Sequence, residues 1–231
     1  MKTDLILLAS GYSRRFQGNK LLYELDGMPL IAHTLQKLST LNPHSLIVVT
    51  QYEEVEKLAR DYNAVVVFNT QARKGQSFSI RLGIERSTAD QAMLCVADQP
   101  YLRLHTFKKL LELADGEHII CVTCQGILRN PAIFPRKYYK ELLALADEQG
   151  GKQILKKYRE KVIAVPCDVD EVRDIVKKES HGGWELLGKK LNPQLFIDFL
   201  LYENKQSLYK TYSFSGSCLW MYTSHWYIGH V

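Results

Sequence analysis

The densest chemistry in this chain lies near its start. A short apolar run, Leu5-Ile6-Leu7-Leu8, leads directly into Ala9-Ser10-Gly11-Tyr12-Ser13-Arg14-Arg15-Phe16-Gln17-Gly18-Asn19-Lys20. Glycines, serines, two arginines and a lysine at the end of a buried strand supply backbone amides, hydroxyls and cations, the equipment for holding a polyphosphate. The spacing is not that of a P-loop: six residues lie between Gly11 and Gly18, Asn19 intervenes before Lys20, and Leu21 stands where a metal-binding Ser or Thr would follow. The other reading of the segment is a basic surface turn whose glycines take positive φ.

Two further positions carry chemistry of the same kind. Asp98 ends the apolar run Met93-Leu94-Cys95-Val96-Ala97, so its carboxylate is delivered to the edge of a sheet, where a hard oxygen suits Mg²⁺ bridging a triphosphate. Its alternative is the N-cap of a helix starting near Pro100. Gly75-Gln76-Ser77-Phe78-Ser79 precedes a helical pattern and sets two hydroxyls at a helix N-terminus, as anion or base contacts or as an ordinary N-cap. Cys121 and Cys124 form a C-x-x-C but read as strand residues within Ile119–Cys124. His33, His44, His105 and His118 share no ligand spacing.

The elements that must position these residues follow from periodicity. Strands are expected at Asp4–Ala9, Ser45–Thr50, Ala64–Phe68, Ala92–Ala97, His118–Thr123 and Val162–Val165. Helices are expected at Pro29–Leu41, Glu53–Tyr62, Ser77–Arg86, Leu104–Ala114, Arg136–Ala146 and Lys152–Tyr158. Strands apolar on both faces, alternating with helices, mean an α/β fold of three layers: a mostly parallel twisted sheet with helices on both faces. Ligands in such sheets bind at the carboxyl ends of the strands, in the loops after Leu8, Phe68 and Val96.

Composition bounds the rest. Apolar residues at 46% and charged residues at 24% are globular values, and a net charge of +5 spread along the chain builds no nucleic-acid face. Five cysteines, mostly inside apolar runs, suit reduced thiols. No membrane-length apolar stretch and no signal-peptide core is found, so a cytoplasmic address is expected.

With these motifs laid out, the chain resembles the nucleotidyltransferases with a MobA-like NTP transferase fold. Leu8 to Lys20 is similar to their L-A-A-G-x-S-x-R-M-G-x-x-K signature. Asn69 with Gly75 and Ser79, then Ala97-Asp98-Gln99-Pro100-Tyr101-Leu102, then Gly126-Ile127 with Asn130-Pro131, resemble in order the later motifs of the molybdenum cofactor cytidylyltransferase branch. The resemblance covers residues 3–176. It implies a Rossmann-like nucleotidyltransferase fold that moves CMP from CTP to the terminal phosphate of molybdopterin, with Mg²⁺ and release of pyrophosphate. Guanylyl transfer or transfer to a sugar phosphate is the alternative within the fold. A non-catalytic molybdenum-cofactor-binding chaperone for a molybdenum hydroxylase apoenzyme is the alternative outside it.

The roles it implies are these. Lys20, Arg15 and Asp98 are catalytic. Ala9, Ser10, Gly11, Ser13, Arg14, Lys20, Asn69, Gly75 and Ser79 contact the nucleotide, with Arg14 alternatively a solvated cation. Gln99, Pro100, Arg129 and Asn130 meet the acceptor, although Arg129 replaces a usual glycine. Asp98 and Asp174 hold the metal; Val176 departs from an expected second Asp, and the acidic run Asp168–Asp174 also reads as a solvated turn. Partners are CTP or another NTP and molybdopterin, with no nucleic acid and no membrane.

Domain boundaries follow from where the resemblance stops: a nucleotidyltransferase domain at 1–176 and a C-terminal extension at 177–231. The last 55 residues hold 11 of the 24 aromatics and all three tryptophans. Pro193–Leu201 reads as a short helix, and the segments at Trp220–Tyr222 and Trp226–Ile228 as strands or an aromatic patch. An interaction module, a packing segment and a frame-shifted tail all fit this part.

Overall fold

Strand β1 (Thr3–Ala9) explains the architecture, because its side chains divide between two cores. Leu5, Leu7 and Ala9 enter one cluster of buried residues, and Ile6 and Leu8 enter another. Alternate residues of a strand face opposite sides of a sheet, so a strand apolar at every position must be covered twice. Each large aliphatic side chain so buried contributes about 1.5–3 kcal/mol.

The computed structural model describes residues 1–13 and 18–173, together with the strands Tyr212–Phe214, Ser217–Tyr222 and His225–His230. The chain divides into two units, Met1–Lys177 and Lys178–Val231.

In the first unit the strands are β1, β4 (Ser45–Thr50), β5 (Val65–Phe68), β6 (Gln91–Val96), β7 (Ile119–Cys124), β8 (Ile127–Pro135) and β9 (Val162–Pro166), with a two-residue hairpin of β2 (Glu24–Leu25) and β3 (Met28–Pro29). The seven-stranded sheet runs β5-β4-β1-β6-β8-β7-β9. Strand β8 alone is antiparallel to its neighbours, β6 and β7. Periodicity predicts no strand over this stretch, for only its second half is continuously buried.

One face is covered by α1 (Leu30–Ser39), α2 (Glu53–Asp61) and α4 (Leu104–Leu113), through Leu30, Leu35, Val55, Phe107 and Leu110. The other is covered by α3 (Gln76–Arg86), α5 (Tyr139–Leu143) and α6 (Lys152–Lys157), through Ile80, Ile84, Leu142, Ile154 and Leu155. The expected α/β fold with helices on both faces is therefore observed. The helix expected over Arg136–Ala146 is shorter: a 3-10 turn at Arg136–Tyr138 precedes α5.

Cys121 and Cys124 both lie in β7, yet their sulfurs belong to different cores, Cys121 to one face and Cys124 to the other. A strand places residues three apart on opposite faces, so this pair cannot share a metal. Burial pushes the Cys121 thiol up to about 12. The hairpin turns at Asp26 and Gly27, both at positive φ (50° and 81°), the pattern that suits an Asp-Gly turn.

At the far end of the sheet from the ligand loops, Asp4 is fully buried and gathers four donors. The Ser87 hydroxyl (2.7 Å), the Thr88 and Ala89 amides (3.0 and 3.1 Å) and the His44 ring (2.9 Å) all meet its carboxylate. Desolvation alone raises its pKa, but the hydrogen bonds outweigh it and hold the group below its ordinary value.

In the second unit, β10 (Tyr212–Phe214), β11 (Ser217–Tyr222) and β12 (His225–His230) form an antiparallel three-stranded sheet in the order of the chain. The two aromatic segments read as possible strands are strands. Pro193–Leu201 lies outside the described residues. Among the described residues no helix is long and apolar enough to cross a membrane.

Candidate functional site

The carboxyl ends of β1 and β6 are adjacent, paired in parallel up to Leu8 and Val96, and β4 lies on the other side of β1. The chain after β1 runs to one side of the sheet and after β5 crosses to the other. This is the switch point at which an open α/β sheet leaves a crevice. A cleft of about 420 Å³ sits there, bordered by Ala9, Ser10, Gly11, Ser13, Lys20 and Asp98, with Gly75, Ser79, Arg73 and Glu148 from elsewhere in the chain.

The loop after β1 is held by the residues that follow β4. Thr50 Oγ1 donates to the Ala9 carbonyl at 3.2 Å, Gln51 Nε2 to the Ser10 carbonyl at 2.7 Å and the Tyr52 hydroxyl to the Gly11 carbonyl at 2.8 Å. A trans peptide sets the following N–H on the side opposite its carbonyl. With three successive carbonyls tied to Thr50, Gln51 and Tyr52, the amides of Ser10 and Gly11 turn the other way, the orientation in which successive N–H groups can form an anion-binding concavity. Ser10 spends its own hydroxyl on the Val49 carbonyl at 3.0 Å, so that residue offers backbone alone. Ser13 takes φ +48.

Lys20 opens a 3-10 turn, Lys20–Leu22, capped by Asn19, whose side chain accepts the Leu21 amide at 3.1 Å. Its ammonium donates to Asp98 Oδ2 at 3.1 Å. Asp98 follows directly on β6, whose ladder continues through the Ala97 amide to the Leu8 carbonyl at 3.2 Å. It does not cap the next helix, since α4 begins at Leu104 after Arg103. The Lys20 side chain is 12% exposed and that of Asp98 is 37% exposed, so the cation is sunk in the wall while the carboxylate faces the cleft.

The third contribution comes from the turn before α3. Gly75 is its N-cap at φ +83 and ψ −165, a conformation open to glycine, and neither serine caps the helix. Ser77 instead donates to the Lys74 carbonyl at 3.3 Å. Asn69 does not reach the cleft. Buried at the end of β5, it donates to Ser79 Oγ at 3.0 Å and accepts the Gln71 amide at 2.9 Å, and so fixes the hydroxyl that does.

The residues assigned to the acceptor are not gathered in this cleft. Gln99 and Pro100 follow Asp98, but Gln99 donates to the Val172 carbonyl at 3.4 Å and Pro100 accepts Lys37 Nζ at 2.5 Å. Burial lowers the Lys37 pKa and the Glu171 charge partly restores it. Arg129 pairs with Val122 in the β7–β8 ladder, and Asn130 is beside it on β8. Arg14, Arg15 and Asp174 lie outside the described residues. The acidic run is not simply a solvated turn: buried Glu171 accepts the Arg103 amide at 3.0 Å and the Thr106 hydroxyl at 2.6 Å, capping α4 from outside.

Sequence reasoning missed Arg73 and Glu148. Each sits in an unremarkable turn beside another charge, Lys74 or Asp147, and only the fold brings them to the wall.

For a metal the donor set is lean. Among the described residues no three of His, Cys, Asp and Glu gather. Asp98 supplies one hard, half-exposed carboxylate at the mouth of a polyphosphate-sized cleft, which fits Mg²⁺ in its usual mode of one or two carboxylates with phosphates and water.

The folding pattern has counterparts among known proteins. A nucleotidyl transferase from Methanothermobacter thermautotroptrophicus superposes with a TM-score of 0.69 at 20% identity, covering 76% of this chain and 92% of that one. The bifunctional protein GlmU of Nitrosomonas europaea is 24% identical over 69% of this chain and 36% of its own length. A "Probable molybdenum cofactor guanylyltransferase" of Pyrococcus horikoshii is 39% identical over 29% of this chain and 35% of its own length. The chain thus matches about a third of the length of the GlmU and guanylyltransferase relatives. Residues 5–162, from β1 to the start of β9, match the MobA-like NTP transferase domain. They contain every described element of the cleft, and on that match the chain belongs to the MobA-like NTP transferase family.

Proposed function

We propose that this chain is a divalent-metal-dependent nucleotidyltransferase that moves CMP from CTP to the terminal phosphate of molybdopterin and releases pyrophosphate. One observation carries it: the loop after β1, the Lys20 ammonium and the Asp98 carboxylate border one cleft. The amides of Ser10 and Gly11 and the Ser13 hydroxyl receive the phosphates. Lys20 exchanges its rest-state partner, Asp98, for phosphoryl oxygens and neutralises charge on the departing pyrophosphate. Asp98 and Asp174 are the carboxylates that would hold Mg²⁺, and a bound ion would supply positive charge to the phosphates there. Arg14 and Arg15 add cations to the phosphate loop. Asn69 sets Ser79, and Gly75 lets the turn approach the nucleotide.

Gln99, Pro100, Arg129 and Asn130 are assigned to the acceptor side, away from the cleft that takes the nucleotide. Guanylyl transfer is the second reading, favoured by the similarity to the guanylyltransferase of P. horikoshii. Residues 1–176 are the transferase domain in either case. The test is pyrophosphate release with CTP, GTP, UTP and ATP, each with and without molybdopterin. Turnover with CTP and molybdopterin alone is expected. Turnover with GTP alone selects the second reading, and no release with any nucleotide overturns both.

A further inference from the structure

Two charged side chains on the cleft wall take no part in holding the fold. Arg73 and Glu148 both line the cleft, and among the described residues neither makes a hydrogen bond or ion pair. Their backbones, by contrast, are fixed. Arg73 lies in the 3-10 turn Ala72–Lys74, closed by the Gly75 amide on the Ala72 carbonyl at 3.1 Å. Glu148, at φ +65, donates its amide to the Lys74 carbonyl at 3.1 Å. Its Cα stands 2.8 Å from the place a Gly75 Cβ would occupy. Behind it, Arg81 grips Asp147 at 2.8 Å. A rigid turn therefore presents an unspent carboxylate and an unspent guanidinium from the two sides of Gly75.

A carboxylate only accepts hydrogen bonds, and a guanidinium only donates them. Glu148 is wrong for phosphate, which it repels, and right for a group rich in N–H. The nucleoside end of an NTP is such a group: cytosine and guanine each carry an exocyclic amine beside a ring-nitrogen acceptor. We infer that Glu148 selects the base, its carboxylate accepting from an exocyclic amine while Arg73 donates to the acceptor beside it. The cleft then takes cytosine or guanine over the analogue that lacks the amine at that place. A base that turns a carbonyl toward Glu148 sets two acceptors against each other and leaves the carboxylate unpaired. This inference rests on the nucleotide reading proposed above.

The experiment is equilibrium titration of the full chain with two matched pairs, CTP against UTP and GTP against ITP, run beside pyrophosphate release. The wild type is expected to prefer the amine-bearing member of at least one pair by about tenfold to a hundredfold, the worth of one charged hydrogen bond. Glu148→Gln, whose amide can rotate to donate, should erase or invert that preference, and Glu148→Ala should erase it. Tripolyphosphate should bind all three proteins equally. Equal affinity within both pairs in the wild type, or a preference that survives Glu148→Gln, overturns the inference. If Glu148→Ala fails to fold, Glu148→Gln decides alone. Selective binding without pyrophosphate release from any nucleotide sinks the transferase reading and leaves the base selector standing. If none of the four nucleotides binds, both fall.

Discussion

Gly75→Ala tests whether the cleft is built on backbone geometry that side chains cannot supply. Gly75 has φ +83 and ψ −165, a region that non-glycine residues enter at about 1–3 kcal/mol. A Cβ there would also stand 2.8 Å from Glu148 Cα and 3.0 Å from its nitrogen, both backbone atoms of a turn tied down at Lys74. Overpacking against atoms that cannot swing aside adds about 1–3 kcal/mol. The expected loss is therefore about 2–6 kcal/mol, or roughly 4–24 °C in a domain of this size. Gly126→Ala is the internal control, for Gly126 has φ +74 and nothing within 4 Å of its added Cβ. It should lose only the conformational part, about 1–2 kcal/mol. Urea denaturation of both variants at constant m reads the difference. Equal losses at the two positions would refute the claim that the Glu148 turn and the Gly75 turn brace each other.

Other outcomes follow from the same geometry. Asp98→Asn should keep its fold and lower pyrophosphate release by about a hundredfold or more, and Lys20→Met should behave alike, since both remove charge from the reacting phosphates; near wild-type turnover in either would remove that residue from the chemistry. Glu171→Ala strips the cap from α4, and about 1–2 kcal/mol should be lost in a denaturant titration. Asp4→Asn should cost about 2–4 kcal/mol near neutral pH by weakening four buried hydrogen bonds. Because the folded pKa of Asp4 lies below its ordinary 3.8, the wild-type advantage is complete above pH 4 and fades as pH falls through the folded value. Melts of both proteins across pH 2–7 should therefore converge in acid, and an unchanged gap would contradict the assignment.

The alternation of apolar strands with amphipathic helices made six of the seven sheet strands legible, because both cores demand continuous apolar runs. Strand β8 was hidden: Ile127, Arg129 and the Asn130-Pro131 pair look like a turn, and only the pairing of Ile127–Arg129 with β7 reveals a strand there. The Asp26-Gly27 hairpin carried a readable turn signal but only two residues on each side. In the site, Lys20 and Asp98 were legible because each closes a chemically odd loop after a buried strand. The motif puts Asn69 among the nucleotide contacts, whereas its side chain lies behind the cleft wall, donating to Ser79. Arg73 and Glu148 were illegible, since each is one member of an ordinary charged pair, Arg73-Lys74 and Asp147-Glu148, and the two meet only when the turn before α3 packs on the turn before α6.

The division of β1 between two cores has a thermodynamic consequence for anyone seeking the ligand. Its amides sit between two parallel neighbours and under both helical layers, so they exchange with solvent only when the whole unit opens. The loop proposed to receive the phosphates is the direct continuation of that strand. Whatever binds the loop is therefore linked to global opening rather than to the fraying of a surface segment, and a nucleotide at about a hundred times its Kd should slow exchange throughout the sheet by about 2.7 kcal/mol. A melting shift or an exchange map can then rank candidate nucleotides before any acceptor is known.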